Sequence, residues 1–281
     1  MKGFFEQLGP KTKVKHGDVT FDLPILYFRD DFFALFYSAD FQRVKMLMPS
    51  EQLHPVLISK TKAVVGICAF NYMATSIDSY GEVAVVIPAV YGQKSPLLIM
   101  PLLLEAYYKG FGNLVLHLPV TTKQARDAGR GEWGYTKFIA DMHFTYTPEY
   151  LTCRMFEKKE HILTLKVCKR GIKLKDKKPL ITYSVKNGSL IKTTIPQRGI
   201  HRSSLMPWGS SIQLGKHPVS ESIGNLGLSP RPLMSRYYLE RSAILPAGTV
   251  IEDEVKSLDG YFGTNRKGKH TVAYSEEDEG S

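Results

Sequence analysis

The residue best suited to covalent chemistry is a lysine within a run of glycine and aromatic residues. Lys137 lies in the run Trp-Gly-Tyr-Thr-Lys-Phe, residues 133–138, and no other lysine of the chain has comparable neighbours. An amine must be neutral to attack a carbonyl group, whereas a free lysine has a pKa of about 10.4. Burial in an apolar pocket can lower such a pKa by about 3 units, which gives neutral amine near pH 7. These surroundings therefore suit a nucleophile that forms a Schiff base with a ketone.

The hydrophobic alternation after this lysine leaves its exposure open. Apolar residues occupy the even positions from Phe138 to Tyr146, as expected for one face of a β-strand. Lys137 falls on the opposite, more polar face together with Asp141 and His143. That pattern favours an exposed lysine on a surface strand, but a strand face that lines a cavity would look the same. Both interpretations stay open at this point.

Other catalytic motifs are missing from the sequence. It contains no Gly-x-Ser-x-Gly elbow, no phosphate-binding P-loop and no dinucleotide-binding glycine pattern. None of the eight histidines pairs with another at i, i+2 or i, i+4. The sequence therefore predicts neither a metal nor another cofactor. His117 and His143 lie in predicted strands, and we expect them to be structural or surface residues.

The charge of the chain raises the question of an anionic partner. The formal net charge is +10, but the basic residues are spread along the sequence. Residues 173–178 form the densest basic run and are predicted to be a solvated turn between strands. No recognition helix or RNA-stacking pattern accompanies them. We therefore expect a small anionic substrate and no nucleic acid, and we expect the acidic residues 276–279 to form a frayed end.

Cysteine usage and hydropathy predict a cytoplasmic protein. Cys68, Cys153 and Cys168 are isolated in the sequence, which is typical of a reducing compartment rather than of a disulfide framework. The N-terminal residues lack the apolar core of a signal peptide. The longest apolar stretch, residues 96–104, is about half as long as a membrane-spanning helix. No membrane partner is expected.

Most of the chain has the pattern of β-strands separated by polar turns. The predicted strands span residues 32–37, 62–73, 82–88, 113–118, 138–146, 150–156, 162–168, 180–185 and 190–195. Asn187 and Gly188 predict a tight hairpin between the last two. This spacing predicts a mostly β, α+β fold with an antiparallel barrel or sandwich-like core and a few short helices, in a single domain over residues 1–281.

Few segments have helical spacing. Residues 40–47 predict a helix capped by Asp40, and residues 122–128 predict a short helix capped by Thr122. Residues 96–108 fit either a helix or a buried strand. Residues 218–232 are rich in Gly, Pro and Ser and predict a loop, which is followed by a strand or helix at residues 237–245.

The segment around the lysine resembles the active-site signature of the acetoacetate decarboxylase family. That signature is approximately A-G-R-E-x-W-G-Y-P-K, with the Schiff-base lysine at the K, and residues 129–141 read G-R-G-E-W-G-Y-T-K-F-I-A-D. The spacing from Gly129 to Lys137 is preserved without a gap. Similar segments occur at residues 29–49, 80–82, 111–119 and 244–246, so that the resemblance spans about residues 15–255.

The resemblance implies the family's fold and a cofactor-free decarboxylation of acetoacetate or a related β-keto acid. Lys137 would form an iminium ion that accepts the electrons released with carbon dioxide; a desolvated lysine is an established property of acetoacetate decarboxylase. Glu82 would transfer protons, and Arg29 would bind the substrate carboxylate or fix the glutamate. A homo-oligomer is expected by the same analogy. The substrate-binding residues implied are Tyr135, Trp133, Arg130 and Phe138.

Three departures from the signature leave the substrate open. Phe138 replaces a second lysine of the decarboxylase, and Thr136 replaces a proline. Gly131 stands where a glutamate is expected, with Glu132 next to it. Adjacent strand residues face opposite ways, so residue 138 is a poor candidate for direct contact with the lysine. With Phe138 at this position, burial has to lower the pKa of Lys137. The alternatives are an aldolase or dehydratase that uses the same imine, and a non-catalytic protein that binds a small molecule.

Overall fold

The computed structural model describes residues 3–6, 10–92, 108–176, 178–258 and 260–263, and these residues form mainly β-strands. The described strands are β1 Thr12–His16, β2 Val19–Leu23, β3 Ile25–Asp40, β4 Leu53–Pro55, β5 Leu57–Ser59, β6 Lys62–Thr75, β7 Tyr80–Tyr91, β8 Phe111–His117, β9 Asp141–Tyr146, β10 Tyr150–Glu157, β11 Glu160–Cys168, β12 Ile172–Asp176, β13 Leu180–Lys186, β14 Ser189–Ile195, β15 Gln197–Leu205, β16 Ser211–Leu214, β17 Met234–Leu245 and β18 Thr249–Glu252. The described helices are α1 Phe41–Met46, α2 Lys123–Trp133 and α3 Pro218–Asn225. The predicted mostly β, α+β class is confirmed.

Twelve of the strands form one large sheet. Its order is β12-β15-β17-β3-β6-β7-β8-β13-β14-β18, with β4 added at β7 and β5 added at β6. Strands β8 and β13 pair in parallel, and the other neighbours in this sheet pair antiparallel. A smaller sheet has the order β16-β11-β10-β9, and β1 pairs with β2. Among the described strands no sheet closes on itself, so of the two predicted cores, barrel or sandwich-like, the structure has the sandwich-like one.

The long central strands are apolar on both faces because the large sheet is covered on both sides. On β3, Phe33, Leu35 and Tyr37 face a core that the sheet shares with β10 and β11 of the smaller sheet. Ala34 and Phe36, which alternate with them, face a second core on the opposite side. The first interior is filled by side chains, whereas the second contains the cavity described below.

Helix α3 departs from the predicted elements. The sequence predicts a loop at residues 218–232, but Pro218–Asn225 is helical. The His217 side chain caps this helix by accepting a hydrogen bond from the Val219 N–H, and Pro218 stands at its first turn. Val219 and Ile223, four residues apart, are fully buried. The cap, the N-terminal proline and this apolar contact outweigh the low helix propensity of the remaining residues.

Residues 173–176 of the basic run are a second departure, since they belong to a strand and not to a turn. Ile172–Asp176 forms the edge strand β12, which pairs with β15. Its side chains Lys173 and Lys175 are exposed. Lysines on an edge strand discourage pairing with the strands of other molecules, which accounts for basic residues at this position.

The remaining element predictions are mostly confirmed. Asp40 caps α1 by accepting from the Arg43 N–H, and residues 237–245 belong to strand β17 rather than to a helix. Of the ambiguous segment 96–108, only Tyr108 is among the described residues, and the acidic run 276–279 lies outside them. Within the described ranges, the helices are too short or too polar to cross a membrane.

Candidate active site

A cavity of about 400 Å³ lies on the second face of the large sheet. Its walls come from β3, β6, β7, β8, β13 and β17 and from the chain around residue 137. Most of the lining side chains are apolar. Lys178 and Pro179 are exposed and mark its mouth. The polar groups of the wall include Tyr27, Tyr72, Glu82, Tyr135, Lys137, Gln197, Arg236, Tyr238 and Arg241.

Two oppositely charged side chains meet in this wall. Lys137 Nζ donates a hydrogen bond to Glu82 Oε2 at 2.8 Å, and the two residues are only 5% and 6% exposed. The same nitrogen lies 5.7 Å from the centre of the Tyr80 ring and 5.9 Å from that of Tyr135. The lysine that the alternation places on the wetter face is therefore buried. An amine and a proton acceptor are held in contact, away from bulk water.

The alternation misplaces the lysine because the strand starts later than predicted. Strand β9 begins at Asp141, so a regular two-residue period does not extend back to Lys137. Thr136, Lys137 and Phe138 are consecutive and all buried, with exposures of 3%, 5% and 1%. This segment passes between the two interiors of the fold, so a side chain that points to either side is buried. Lys137 points into the cavity and Phe138 into the filled core.

Residues 118–120 bring the glutamate and the lysine together. Val120 forms an antiparallel bridge with Glu82 and a parallel bridge with Ile139. The Val120 N–H donates to the Phe138 carbonyl at 2.9 Å. Because this segment lies between β7 and the chain around residue 138, it fixes the distance between the two backbones that carry the ion pair.

Helix α2 supports the lysine from another side. It begins after the predicted cap Thr122 and continues past the predicted end at residue 128 to Trp133. The chain then turns at Gly134, whose φ of 68° lies in the left-handed region that favours glycine. This turn brings the backbone back alongside the helix, where Arg130 Nε donates to the Lys137 carbonyl at 2.7 Å.

Gly129 of the same helix leaves the space that the lysine side chain occupies. A Cβ atom at this position would lie 2.4 Å from Lys137 Cε and 2.5 Å from its Cδ. Atoms without a bond between them do not approach so closely, so any side chain at residue 129 would displace the lysine. The second position of the signature is therefore occupied by glycine for a steric reason.

Buried tyrosines surround the carboxylate. Tyr72 donates from its hydroxyl to Glu82 Oε1 at 3.1 Å, and the hydroxyls of Tyr27 and Tyr80 lie 2.8 Å apart. Burial raises the pKa of Tyr72 and of Tyr80 well above the usual range. Burial also raises the pKa of Tyr135 to about 12. These phenols are therefore neutral near pH 7 and can donate hydrogen bonds to an anion.

A second buried ion pair belongs to the same region. Arg241 Nη1 donates to Asp30 Oδ2 at 2.6 Å, and its Nε donates to Gln197 Oε1 at 3.0 Å. Burial raises the pKa of Asp30 to about 6, although the guanidinium acts in the opposite direction. Burial acts most strongly and lowers the pKa of Arg241, but Asp30, Tyr72 and Tyr238 together outweigh it and the pKa is raised. Arg241 is thus a permanent cation in the cavity wall.

Three of the predicted site residues line the cavity, namely Lys137, Glu82 and Tyr135. Two others lie behind them. Trp133 is 1% exposed and stacks on the Tyr135 ring with centres 6.0 Å apart. Arg130 contacts the backbone of the lysine rather than the cavity. Trp133 and Arg130 therefore lie behind the lining residues, and their part in substrate binding stays a prediction.

Phe138 and Arg29 lie away from the cavity. Phe138 is buried in the filled core, edge-on to the Tyr261 ring with centres 4.7 Å apart. Arg29 is exposed, at an irregularity in the pairing of β3 that turns its side chain outward. The guanidinium groups that line the cavity are instead those of Arg236 and Arg241, both on β17. Phe138 and Arg29 are therefore not among the residues that line the cavity, and their parts in the reaction stay predictions.

No histidine of the described residues lines this cavity. His117 is buried, and its Nε2 lies 3.0 Å from Ser222 Oγ. Burial lowers the pKa of His117 to about 4, so that it is neutral near pH 7. His143 is exposed on β9. In the described part of the chain, no three His, Cys, Asp or Glu side chains are grouped so that they could hold a metal ion.

Comparison with the profiles of protein families tests the resemblance that the signature indicates. The profile described as Acetoacetate decarboxylase (ADC) matches residues 14–255, which is most of the chain. The chain belongs to the acetoacetate decarboxylase family. Comparison with curated proteins gave no match.

Solved structures of this acetoacetate decarboxylase fold are similar at low sequence identity. An acetoacetate decarboxylase from Legionella pneumophila is 17% identical, with a TM-score of 0.62 over 89% of this chain and 94% of that one. A second acetoacetate decarboxylase is 17% identical, with a TM-score of 0.64 over 82% and 90%. The enduracididine biosynthesis enzyme MppR, complexed with the condensation product of pyruvate and imidazole 4-carboxaldehyde, is 9% identical, with a TM-score of 0.58 over 82% and 90%.

Two departures from the family signature are compensated within the structure. A Cβ atom at Gly131 would lie 2.2 Å from His16 Cγ, so strand β1 fills the space where the signature has a glutamate. His16 Nε2 lies 3.0 Å from Glu132 Oε2, which gives the displaced glutamate a partner. Thr136, in place of proline, donates from its hydroxyl to the Leu116 carbonyl at 2.6 Å. Both changes leave the backbone around the lysine fixed.

Proposed function

We propose that this acetoacetate decarboxylase family member decarboxylates a β-keto acid, acetoacetate or a relative, through a Schiff base on Lys137. The observation that carries the proposal is the contact between Lys137 Nζ and Glu82 Oε2 at 2.8 Å in the wall of a largely apolar cavity. A buried amine beside a carboxylate has both a nucleophile and a proton acceptor for imine formation.

The first half of the reaction forms the iminium ion. A proton moves from Lys137 Nζ along the hydrogen bond to Glu82, and the neutral amine then attacks the ketone carbon of the substrate. The carbinolamine that results loses its hydroxyl group as water, and Glu82 returns the proton that this departure requires. Tyr72, which donates to the other oxygen of Glu82, keeps the carboxylate oriented through both transfers.

The second half releases carbon dioxide. The bond between the carboxylate carbon and the neighbouring carbon breaks, and its electron pair moves into the iminium group to give a neutral enamine. Because an anion and a cation disappear together, apolar surroundings favour this step over the charged state before it. Protonation of the enamine carbon and addition of water to the imine release the ketone and restore Lys137.

Arg241 takes over the cationic role that the resemblance implies for Arg29. Its guanidinium lines the cavity and is held by Asp30 and Gln197. A fixed positive group in a wall of low polarity attracts an anionic substrate. We therefore propose that Arg241 favours entry of the keto acid and orients its carboxylate away from Glu82.

The alternative activity uses the same imine for a different second step. The enamine or its equivalent could attack an aldehyde, as an aldolase does, instead of taking up a proton. The cavity volume favours this alternative in one respect, since about 400 Å³ exceeds the needs of a four-carbon acid. Release of carbon dioxide distinguishes the two reactions.

Reductive trapping tests the shared intermediate. Incubation with acetoacetate and borohydride is expected to add one substrate-derived or product-derived group to the peptide that carries Lys137, as read by mass spectrometry. Carbon dioxide release without added aldehyde supports the decarboxylase, and its absence with an adduct present supports the aldolase or dehydratase. No adduct, together with unchanged ligand binding by Lys137→Ala, would leave only a non-catalytic binding protein.

The substitution Gly129→Ala is expected to lower kcat/KM by about 100-fold, because the new methyl group displaces the reactive nitrogen from Glu82. The helix itself should not suffer, since alanine is the better helix former. Gly224→Ala is a matched control in helix α3, where a Cβ atom would meet only Leu214 Cδ1 at 3.9 Å. Wild-type kinetics of Gly129→Ala would contradict the steric role of this glycine.

We further propose that the enzyme works in the cytoplasm as a homo-oligomer. Its three cysteines are all free and buried, which suits a reducing compartment. Assembly rests on family analogy, and light scattering of the purified protein tests it.

A further inference from the structure

The cavity is larger than acetoacetate requires. Its volume of about 400 Å³ falls in the range of pockets that enclose drug-sized ligands, about 300–1,000 Å³. Lys137, Glu82 and the neighbouring tyrosine hydroxyls occupy only one part of its wall. The remainder is mostly apolar, with Gln197, Arg236, Tyr238 and Arg241 on the side formed by β15 and β17. The strand register shows where the apolar part lies.

The space next to the ion pair has a floor of small side chains. On the cavity face, Glu82 of β7 pairs with Phe70 of β6, and the next pair on the same face is Ala84 with Cys68. Two residues along a strand correspond to about 6.6 Å. Ala84 and Cys68 both line the cavity. In the next row of paired residues after Glu82, the small side chains therefore leave more space in the cavity.

Larger apolar residues bound the far side of this floor. Val86 follows Ala84 on the same face and pairs with Val115 of β8. Gly66 pairs with Val86 on the other side, and a Cβ atom there would lie 3.0 Å from both Phe36 Cε1 and Val86 Cγ2. Phe36 and Val86 thus meet over the glycine. The open floor is thus the single row of Ala84 and Cys68, between the rows of Glu82 and Val86, which lie about 13 Å apart.

The exposure of alternate residues supports this assignment. Cys68, Ala84 and Val86 keep 5–6% of their surface accessible, whereas Ile67 and Val85 on the opposite face keep 0% and 1%. The small accessible fraction is the surface that borders the cavity. Burial also raises the pKa of the Cys68 thiol to about 12, so this side chain is an apolar wall element and not a thiolate.

We infer that the substrate is a β-keto acid whose ketone carries an aromatic or branched apolar group of about the size of a phenyl ring, on the side away from the carboxylate. This inference rests on the proposed Schiff-base function. The ketone carbon lies at Lys137, and the apolar group covers Cys68 and Ala84. Each methylene-sized unit removed from water there strengthens binding about fourfold. The methyl group of acetoacetate leaves the floor uncovered.

Substrate comparison tests the inference directly. The values of kcat/KM are measured for acetoacetate and for 3-oxo-5-phenylpentanoate with the wild-type enzyme. We expect the phenyl acid to be favoured by roughly 100-fold or more. If acetoacetate labels Lys137 and is decarboxylated at least as efficiently as the phenyl acid, the substrate class is wrong while the proposed function stands.

Filling the floor provides the second test. In Ala84→Leu, the preference for the phenyl acid is expected to fall from about 100-fold towards equality. Should Ala84→Leu fail to fold, the wild-type comparison still decides. An unchanged preference in a folded Ala84→Leu enzyme would overturn the placement of the apolar group.

A binding measurement separates the site from the chemistry. The ketone product, 4-phenylbutan-2-one, is titrated calorimetrically into Lys137→Met, which cannot form an imine. Binding that is at least about 30-fold tighter than that of butan-2-one supports the apolar site. If neither acid labels the wild-type lysine in that case, the Schiff-base function fails while the apolar site stands. Equal, weak binding of both ketones would overturn the apolar site.

Discussion

Lys137→Met is expected to reduce the decarboxylation rate by about 10⁴-fold or more, because the covalent route through the imine is lost. Methionine retains the length and the apolar stem of the side chain, so the cavity keeps its shape. The measurement is carbon dioxide release at saturating substrate. Lys166→Met, which removes a cation that lies 3.8 Å from the centre of the Tyr150 ring outside the cavity, is the matched control and should leave the rate nearly unchanged.

Lys137→Met is also expected to lower the stability of the protein, which can be measured separately from the reaction rate. Removing one partner of a buried ion pair leaves Glu82 without its cation and is expected to cost about 3 kcal/mol in the free energy of unfolding. The double substitution Lys137→Met and Glu82→Gln should regain most of that stability and remain inactive. Activity restored in the double variant would show that Lys137 is not the nucleophile.

Glu82→Gln is expected to lower kcat by about 10²- to 10⁴-fold, the usual contribution of a positioned acid and base. The amide keeps an oxygen for the Tyr72 hydroxyl, so the local geometry is retained, but it cannot accept the proton of Lys137. Borohydride trapping should still label Lys137, although more slowly. Single-turnover trapping and steady-state turnover together measure the two effects.

Glu132→Gln is the control for that experiment. Glu132 is also partly buried, and it contacts His16 rather than the cavity. Its substitution should change kcat by less than about threefold. A Glu82→Gln enzyme as active as Glu132→Gln would mean that proton transfer during imine formation depends on another group, such as water.

The position of Lys137 shows what periodicity can and cannot predict. The apolar positions Phe138 and Ala140 are buried as the alternation indicates. Lys137 is buried as well, since the chain there is not yet a strand and passes between two interiors. A two-residue period assumes that one face of the strand is exposed to solvent. No local sequence pattern shows that this face lines a cavity instead. Family resemblance, not periodicity, selected this residue.

The arginine shows the limit of transferring a motif along the sequence. Arg29 and Asp30 are neighbours, but a pairing irregularity in β3 turns Arg29 to solvent and leaves Asp30 inside. Arg241 lies 211 residues after Asp30 and follows no recognisable motif. Only the pairing of β3 with β17 brings the two together. Gly129 belongs to the family signature, but its steric role could not be predicted, because it depends on helix α2 continuing past the predicted end at residue 128.

The same pairing determines when during synthesis the enzyme can become active. The wall of the cavity needs Arg241, Ala243 and Leu245 from β17, which pairs with β3 near the start of the chain. A nascent polypeptide that has not yet released residue 245 from the ribosome lacks this wall, whatever the earlier strands have done. Such distant pairings also form slowly. Lys137 and Glu82 are thus synthesised before the strand that encloses them. A translation product that ends before β17 would have an open and inactive site.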